Sequence, residues 1–398
     1  MEGDRRRVDE RAIRNGRSVA PPWEGWLNRP ALHGRMRAGH SSAGRGIISP
    51  HEKSLAGCRA RPIAGFRIAE RLPVATRFTR SEFLKTSGLA CLALPFLGSR
   101  GASSAGFPLA SPFRVAVIND EISQDFGRAC EVVAREFGMA WIELRGMWNK
   151  NILDLDAKEI AEAKRILANY ELRVTDIASP LFKVDWPGAP ASKFSPKSDK
   201  FHADFGFAQQ DDVLRRAIEM AREFQTDRVR CFDFWRLDDP APYRKAINEK
   251  LRDAAALAAK SGVKLLLENE MTCNTATAAE AAQVFAAIPD ANLLLNWDPG
   301  NAAAAGETAY PDGYRLLPKG RIGHCHCKDV TRKPGGYEWA AMGSGIVDWV
   351  GQFRALREDG YRLAASLETH WHGGGTPEES TRQSWAGMRK ELHAAGDL

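Results

Sequence analysis

A (β/α)8 barrel is the fold that residues 113–398 of this 398-residue sequence predict. From Phe113 onward, short apolar runs alternate with longer amphipathic ones. Eight such pairs fit into about 285 residues, which is the count and size of a closed barrel of parallel strands. Runs such as "KLLLE" and "NLLLN" are apolar almost throughout, as parallel strands buried on both faces must be. A doubly wound sheet is the competing arrangement. It often places a glycine-rich phosphate loop after its first strand, and none follows here.

Taken in order, the strands are "RVAVI" (114–118), "WIEL" (141–144), "RVTDIA" (173–178), "RVRCF" (228–232), "VKLLLE" (263–268), "NLLLNW" (292–297), "IGHCH" (322–326) and "AASLE" (364–368). The helical patterns between them cover 124–137, 157–170, 209–224, 243–261, 277–288, a weak one near Tyr314, 349–358 and 377–394. The helix period is plain in "EIAEAKRILANY", where Ile160, Ala163, Ile166 and Leu167 share one face. Residues 180–208, with "WPGAP" and "SPKSDKF", form a long segment after the third strand. Loops on that side of a barrel build its active site.

The front of the chain has a different character. Residues 1–112 hold 19 Lys and Arg against 8 Asp and Glu, and the remainder holds 37 against 42. Such asymmetry marks a tail or a targeting segment. Residues 1–75, rich in Arg, Gly, Pro and Ala, predict a disordered leader or a stretch ahead of the true start. Residues 76–112 have the layout of a signal peptide: arginines, an apolar stretch from Leu89 to Leu97, and a small-residue site ending at Ala105. "TRSEFLK" resembles a twin-arginine export motif, with Ser81 in place of the second arginine. Export to a periplasm is the expectation, and a cytoplasmic location the alternative.

No run of ~18 apolar residues marks a membrane span. The seven cysteines show neither a CxxC nor a secreted-framework spacing, so no disulfides are expected. The body lacks the basic bias that nucleic acid would select. A homo-oligomer is compatible with everything in the sequence.

In a barrel, side chains at the C-terminal ends of the strands converge on one mouth. Four consecutive strands here end in metal-ligating residue types: Glu268 in "LLLENE", Asp298 in "LNWDPGN", His326 in "HCHCKD" and Glu368 in "SLETH". Singly, each has a blander reading as a cap, a turn residue or a core histidine. Four at the same end of four successive strands make one oxygen-rich site with a single nitrogen. That donor set suits Mn²⁺ first, with Mg²⁺, Co²⁺ or Zn²⁺ as alternatives.

"RIGHCHCKDV" (321–330) looks at first like a self-contained zinc cage. Alternation along a strand removes that reading. His324 and His326 point into the barrel, and Cys325 and Cys327 toward the helices.

Weaker candidates for substrate contact are Glu143 and Arg145 at the end of strand two, for which a salt bridge with each other or a neighbour is an equal alternative, Lys183 and His202 on the long third loop, Glu270, and Lys328, which shares the parity of His326. Asp329 is expected to begin a loop. Trp148, Trp186 and Trp235 are candidates to stack on sugar faces, with core packing as the commoner alternative, and His370 is placed to face the mouth.

Residues 113–395 resemble the xylose isomerase-like TIM-barrel superfamily, within it the sugar phosphate isomerase/epimerase group of ketose 3-epimerases and inosose dehydratases. The four strand-end motifs match that group's ligand motifs in order, and "INDEISQDF" and "WIELRGMWNKNI" also fit. The resemblance implies Glu268, Asp298, His326 and Glu368 as ligands of one divalent ion. It also implies Glu268 and Glu368 as the two acid/base residues facing each other across a carbohydrate substrate. One departure stands out: epimerase relatives carry a substrate-binding histidine three residues after the aspartate ligand, and Asn301 stands here. An amide binds a hydroxyl but carries no proton at neutral pH.

The leading expectation is therefore an isomerase or epimerase acting through an enediolate. A lyase using the same intermediate is the runner-up. A nuclease of the superfamily is disfavoured, because its zinc centre needs histidines from early strands and residues 113–201 contain none. A barrel that binds without catalysis would not need all four strand-end ligands.

Overall fold

A computed structural model, describing residues 109–195 and 205–398, places all eight expected strands in one parallel sheet. These are β1 (Arg114–Val117), β2 (Trp141–Leu144), β3 (Arg173–Ile177), β4 (Arg228–Cys231), β5 (Lys264–Glu268), β6 (Leu293–Trp297), β7 (Ile322–Cys327) and β8 (Ala364–Leu367). Each pairs with its successor from β2 to β8, and β8 pairs with β1. A single parallel bridge between Ile118 and Glu143 joins β1 back to β2 and completes the ring.

The helices follow from local signals as well as period. α1 (Phe126–Glu131) runs on through a π-helical turn at Val132–Glu136. α2 (Ala157–Asn169) starts with a capping box, in which Asp156 accepts from the N–H groups of Lys158 and Glu159. Its Ile160, Ala163 and Leu167 are buried, whereas Ile166 is only partly so. α3 (Gln210–Glu223) and α4 (Arg244–Ala259) cover the next two strands. Thr277 caps α5 (Ala278–Ala287) with Glu280 as the returning partner. The weak pattern near Tyr314 becomes one turn, Tyr314–Leu316.

Alternation along the strands sorts the interior. Leu265 and Leu267 of β5 join the hydrophobic layer under the helices, and Leu266 and Glu268 face inward. A Cβ added to Gly323 would lie 2.8 Å from side-chain atoms of Leu266 and Leu294, so these three residues form an apolar floor. Polar side chains fill the barrel above it.

Three elements differ from the expectation. Gly146–Met147 and Lys150–Asn151 form a small antiparallel hairpin after β2. Pro299–Ala304 forms α6, because Asp298 caps it and Pro299 suits its first turn. Asp329 begins a strand, not a loop: Asp329–Lys333 pairs antiparallel with Gly336–Ala340. Pro334 and Gly335 make the turn, with Gly335 at φ +83°. α7 (Trp349–Glu358) and α8 (Pro377–Ala395) complete the chain, the latter ending on Gly396 at φ +81°.

No helix among the described residues is long and apolar enough to cross a membrane. The five cysteines among them are free thiols. The leader, the export signal and His202 lie outside the described residues.

Candidate metal centre and active site

The ends of β5 to β8 bring Glu268, Asp298, His326 and Glu368 together. One ligand atom from each lies within 4.8 Å of the others, and all four residues are buried. His326 is the hub. Its Nδ1 lies 3.1 Å from Glu268 Oε1, 3.2 Å from Glu368 Oε2 and 3.8 Å from Asp298 Oδ2. Both β7 histidines point inward with ring centroids 5.3 Å apart, while Cys325 and Cys327 join the hydrophobic layer outside. The four-residue cage suggested by "HCHC" therefore does not form.

Each ligand-type residue is held by neighbours. Asp298 is fixed through its backbone, since its N–H donates to Asn269 Oδ1 at 2.8 Å and its Oδ1 accepts from the Asn301 N–H at 2.8 Å. The Asn301 amide nitrogen then reaches Asp298 Oδ2 at 3.0 Å and Glu268 Oε1 at 3.3 Å. Glu268 Oε2 faces the Arg230 guanidinium at 3.2 Å. Glu368 Oε1 accepts from Arg145 at 2.9 Å, and its Oε2 accepts from Lys328 Nζ at 2.6 Å. Lys328 Nζ also pairs with Asp298 Oδ2 at 2.7 Å.

Burial alone would raise every carboxyl here. At Glu268 the charges of His326 and Arg230 outweigh it and bring the carboxyl down to about 2. At Glu368 it is outweighed by Lys328, His370 and His326, which hold the group well below the usual range. Burial wins at Asp298, which rises to about 7 although Lys328 opposes the shift. Burial would lower His326, but Glu143, Glu268 and Glu368 lift it well above an ordinary imidazole. The cluster is thus a sink for positive charge, held in this state by His326 and Lys328.

The donor set fits a divalent cation of hard or borderline character: three carboxylates and one imidazole, all buried. Asn301 Oδ1 is buried in the same place and accepts no hydrogen bond from the described residues.

The other sequence-predicted residues divide. Glu143, a candidate for substrate or for a salt bridge, is wholly buried, and its two oxygens face His324 and His326. Arg145 had the same two readings, and its guanidinium pairs with Asp120 at 2.9 Å, Glu121 at 2.8 Å and Glu368 at 2.9 Å. Glu270 stands at the mouth, 3.3 Å from Lys183. Trp186 packs edge-on against Phe234 at 4.7 Å, and Trp148 against Phe126 at 6.0 Å, so both serve the core.

Arg230 was missed, although "RVRC" puts Arg228 and Arg230 on the inward face by alternation. Also missed was the hairpin after β7. It carries Trp339 to 5.2 Å from both Lys328 Nζ and the His370 ring, over the centre.

One glycine is required by this packing. A Cβ on Gly300 of α6 would lie 2.6 Å from Lys328 Cγ and 2.9 Å from the Lys328 carbonyl oxygen. Gly300→Ala is expected to push Lys328 off Asp298 and Glu368, lower activity, and cost about 1–3 kcal/mol by overpacking. Denaturant titration and steady-state kinetics of the variant would check both parts; wild-type values in both would refute the contact.

A family model described as a xylose isomerase-like TIM barrel matches residues 132–391. Among curated protein sequences, none matches. Solved structures share the fold at low identity. D-psicose 3-epimerase with D-tagatose from Clostridium cellulolyticum H10 is 16% identical with a TM-score of 0.54, the match covering 71% of this chain and 99% of that one. A probable 3-DHS dehydratase from Bacillus anthracis is 19% identical with a TM-score of 0.53, covering 70% and 98%. A xylose isomerase-like TIM barrel protein from Mycobacterium smegmatis, in complex with magnesium, is 17% identical with a TM-score of 0.52, covering 72% and 98%.

Proposed function

The chain belongs to the xylose isomerase-like TIM-barrel family, and on that footing we propose that it is a divalent-metal-dependent isomerase or epimerase of a sugar, keto-sugar or cyclitol. The observation that carries this reading is the convergence of Glu268, Asp298, His326 and Glu368 at the barrel mouth. These four would hold the ion. Mn²⁺ is our first choice, and the magnesium complex of a protein of the same fold makes Mg²⁺ the first alternative.

When bound, the ion supplies electrophilic stabilisation of an enediolate. The remaining work falls to the chain. Glu268 is kept ionised by His326 and Arg230 and serves as the base that takes a proton from the carbon next to a carbonyl. Glu368, on the other side of His326, returns a proton to the opposite face. Its 2.6 Å contact with Lys328 Nζ keeps Glu368 ionised at rest, so the proton it returns is first taken up from solvent. Asn301 Oδ1 accepts a substrate hydroxyl, and Trp339 helps keep water out. A phosphate-binding Gly-rich loop is absent from the sequence, which favours a non-phosphorylated substrate.

A second reading is a lyase that expels water or another group from the same enediolate. It is favoured by Asn301, whose amide nitrogen is committed to Glu268 and Asp298 and whose side chain carries no titratable proton. Proton NMR in D₂O, with keto-sugars and cyclitols under Mn²⁺, Mg²⁺ and Co²⁺, separates the two. Carbon-bound proton exchange with the skeleton intact supports the isomerase; release of a group selects the lyase. The absence of any metal-dependent exchange across that panel would refute both.

Chelation gives an independent check. Removing the ion is expected to abolish turnover and lower stability, and restoring it at 100 times its Kd should recover about 2.7 kcal/mol. Thermal unfolding with and without metal measures this; identical curves would count against the centre.

A further inference from the structure

The interior of a (β/α)8 barrel is ordinarily filled by branched apolar side chains. Inside this barrel lie Glu143, Asp176 and His324, all with 0% exposure. Ionisable groups in such a place are costly unless each satisfies another. Their arrangement says what they satisfy.

Glu143 gives one carboxylate oxygen to each histidine of β7. Its Oε1 lies 2.9 Å from His326 Nε2, and its Oε2 lies 3.1 Å from His324 Nε2. A carboxylate oxygen only accepts, so His326 Nε2 must carry a hydrogen. The other nitrogen, Nδ1, is then the one presented to Glu268, Glu368 and Asp298, at 3.1, 3.2 and 3.8 Å. The Asn296 amide nitrogen lies 3.2 and 3.4 Å from the two ring nitrogens, so it does not choose between them. Glu143 does.

We propose that Glu143 is the positioning residue of the centre: it holds the His326 ring so that Nδ1, and not Nε2, is the ligand atom. His324 acts one link further back. Its Nε2–H on Glu143 Oε2 stops the carboxylate from turning away, and Asp176 stands behind it, with its Oδ1 3.6 Å from His324 Nδ1. This rests on the metal reading above, and it assigns the atom that binds and the residue that selects it. Neither Glu143 nor His324 needs to touch substrate.

The decisive experiment uses the unmodified chain, labelled with ¹⁵N-histidine and loaded with ¹¹³Cd²⁺. A one-bond coupling is expected to Nδ1 of a histidine whose Nε2 bears a proton, with the signal assigned by its loss in His326→Gln. Coupling to Nε2 would overturn the proposal.

Co²⁺ affinity of variants, read from the absorption spectrum, adds a second arm. Glu143→Leu should weaken binding roughly 10–100-fold, the usual effect of losing a partner behind a metal-bound histidine. Glu143→Gln should stay near the wild-type value, because its amide oxygen still accepts from Nε2–H. Equal losses in both variants would mean that charge matters and orientation does not, and would also overturn it. Should Glu143→Leu fail to fold, the cadmium coupling alone decides. If the unmodified protein takes up neither ion, the proposed metal-dependent function itself falls. If it does and Glu143→Leu matches it, only the role of Glu143 falls.

Discussion

Glu268→Gln and Glu368→Gln are each expected to lower turnover by about 10²–10⁴-fold, the range lost with a general acid or base. Glutamine keeps an oxygen for the ion and nearly the same volume, so the fold should survive. The two variants should differ in kind. Glu268 lies between Arg230, Asn301 and His326, whereas Glu368 sits between Arg145, Lys328 and His326. If the two work on opposite faces of the substrate, each variant should retain exchange of the proton handled by the other. Deuterium incorporation followed position by position measures this. Metal-dependent turnover at the wild-type rate in either variant would refute the two-glutamate scheme.

Arg145→Met is the substitution expected to cost most stability. Its guanidinium, with 8% side-chain exposure, neutralises Asp120, Glu121 and Glu368 together. Methionine would leave three buried carboxylates facing one another. Breaking a buried ion pair by removing one partner costs about 3–5 kcal/mol. Equilibrium unfolding in denaturant should show that loss, and activity should fall with it because Glu368 loses its tether. An exposed pair offers the control: Arg165→Ala, which removes the contact with Glu162, should leave the unfolding midpoint where it was. A wild-type midpoint for Arg145→Met would mean that the carboxylates re-pair or take up protons at little cost.

The barrel was legible because its signals are local. "KLLLE" and "NLLLN" must be covered on both sides whatever surrounds them, and Asp156 with Glu159 starts a helix unaided. The metal-type residues were legible for a related reason, since each marks the end of its own strand. Parity alone settled that His324 and His326 share a face and that Cys325 and Cys327 do not.

What supports those residues was harder to read. Glu143 sits at a strand end like the others, and position along a strand does not reveal whether a side chain meets solvent or a histidine from across the ring. Arg145 and Arg230 find partners 223 and 38 positions away in sequence, fixed only when the sheet closes. The hairpin after β7 was invisible because "DVTRKPGGYEWA" alternates weakly and has no core to face.

That hairpin is anchored at its base. Asp329 accepts N–H groups from Val330, Gly343, Gly345 and Val347, so a single carboxylate ties the start of the loop to its far end. Closure is therefore settled at the base, and the tip at Pro334–Gly335 contributes nothing to it. Lengthening a loop whose ends are already fixed costs little, about 0.6 kcal/mol for each doubling. The segment that hangs over the centre can thus vary in length and sequence while the strand below keeps its register. Insertions at 334–335 are where this chain can acquire a new cover for a different substrate and leave the chemistry beneath it intact.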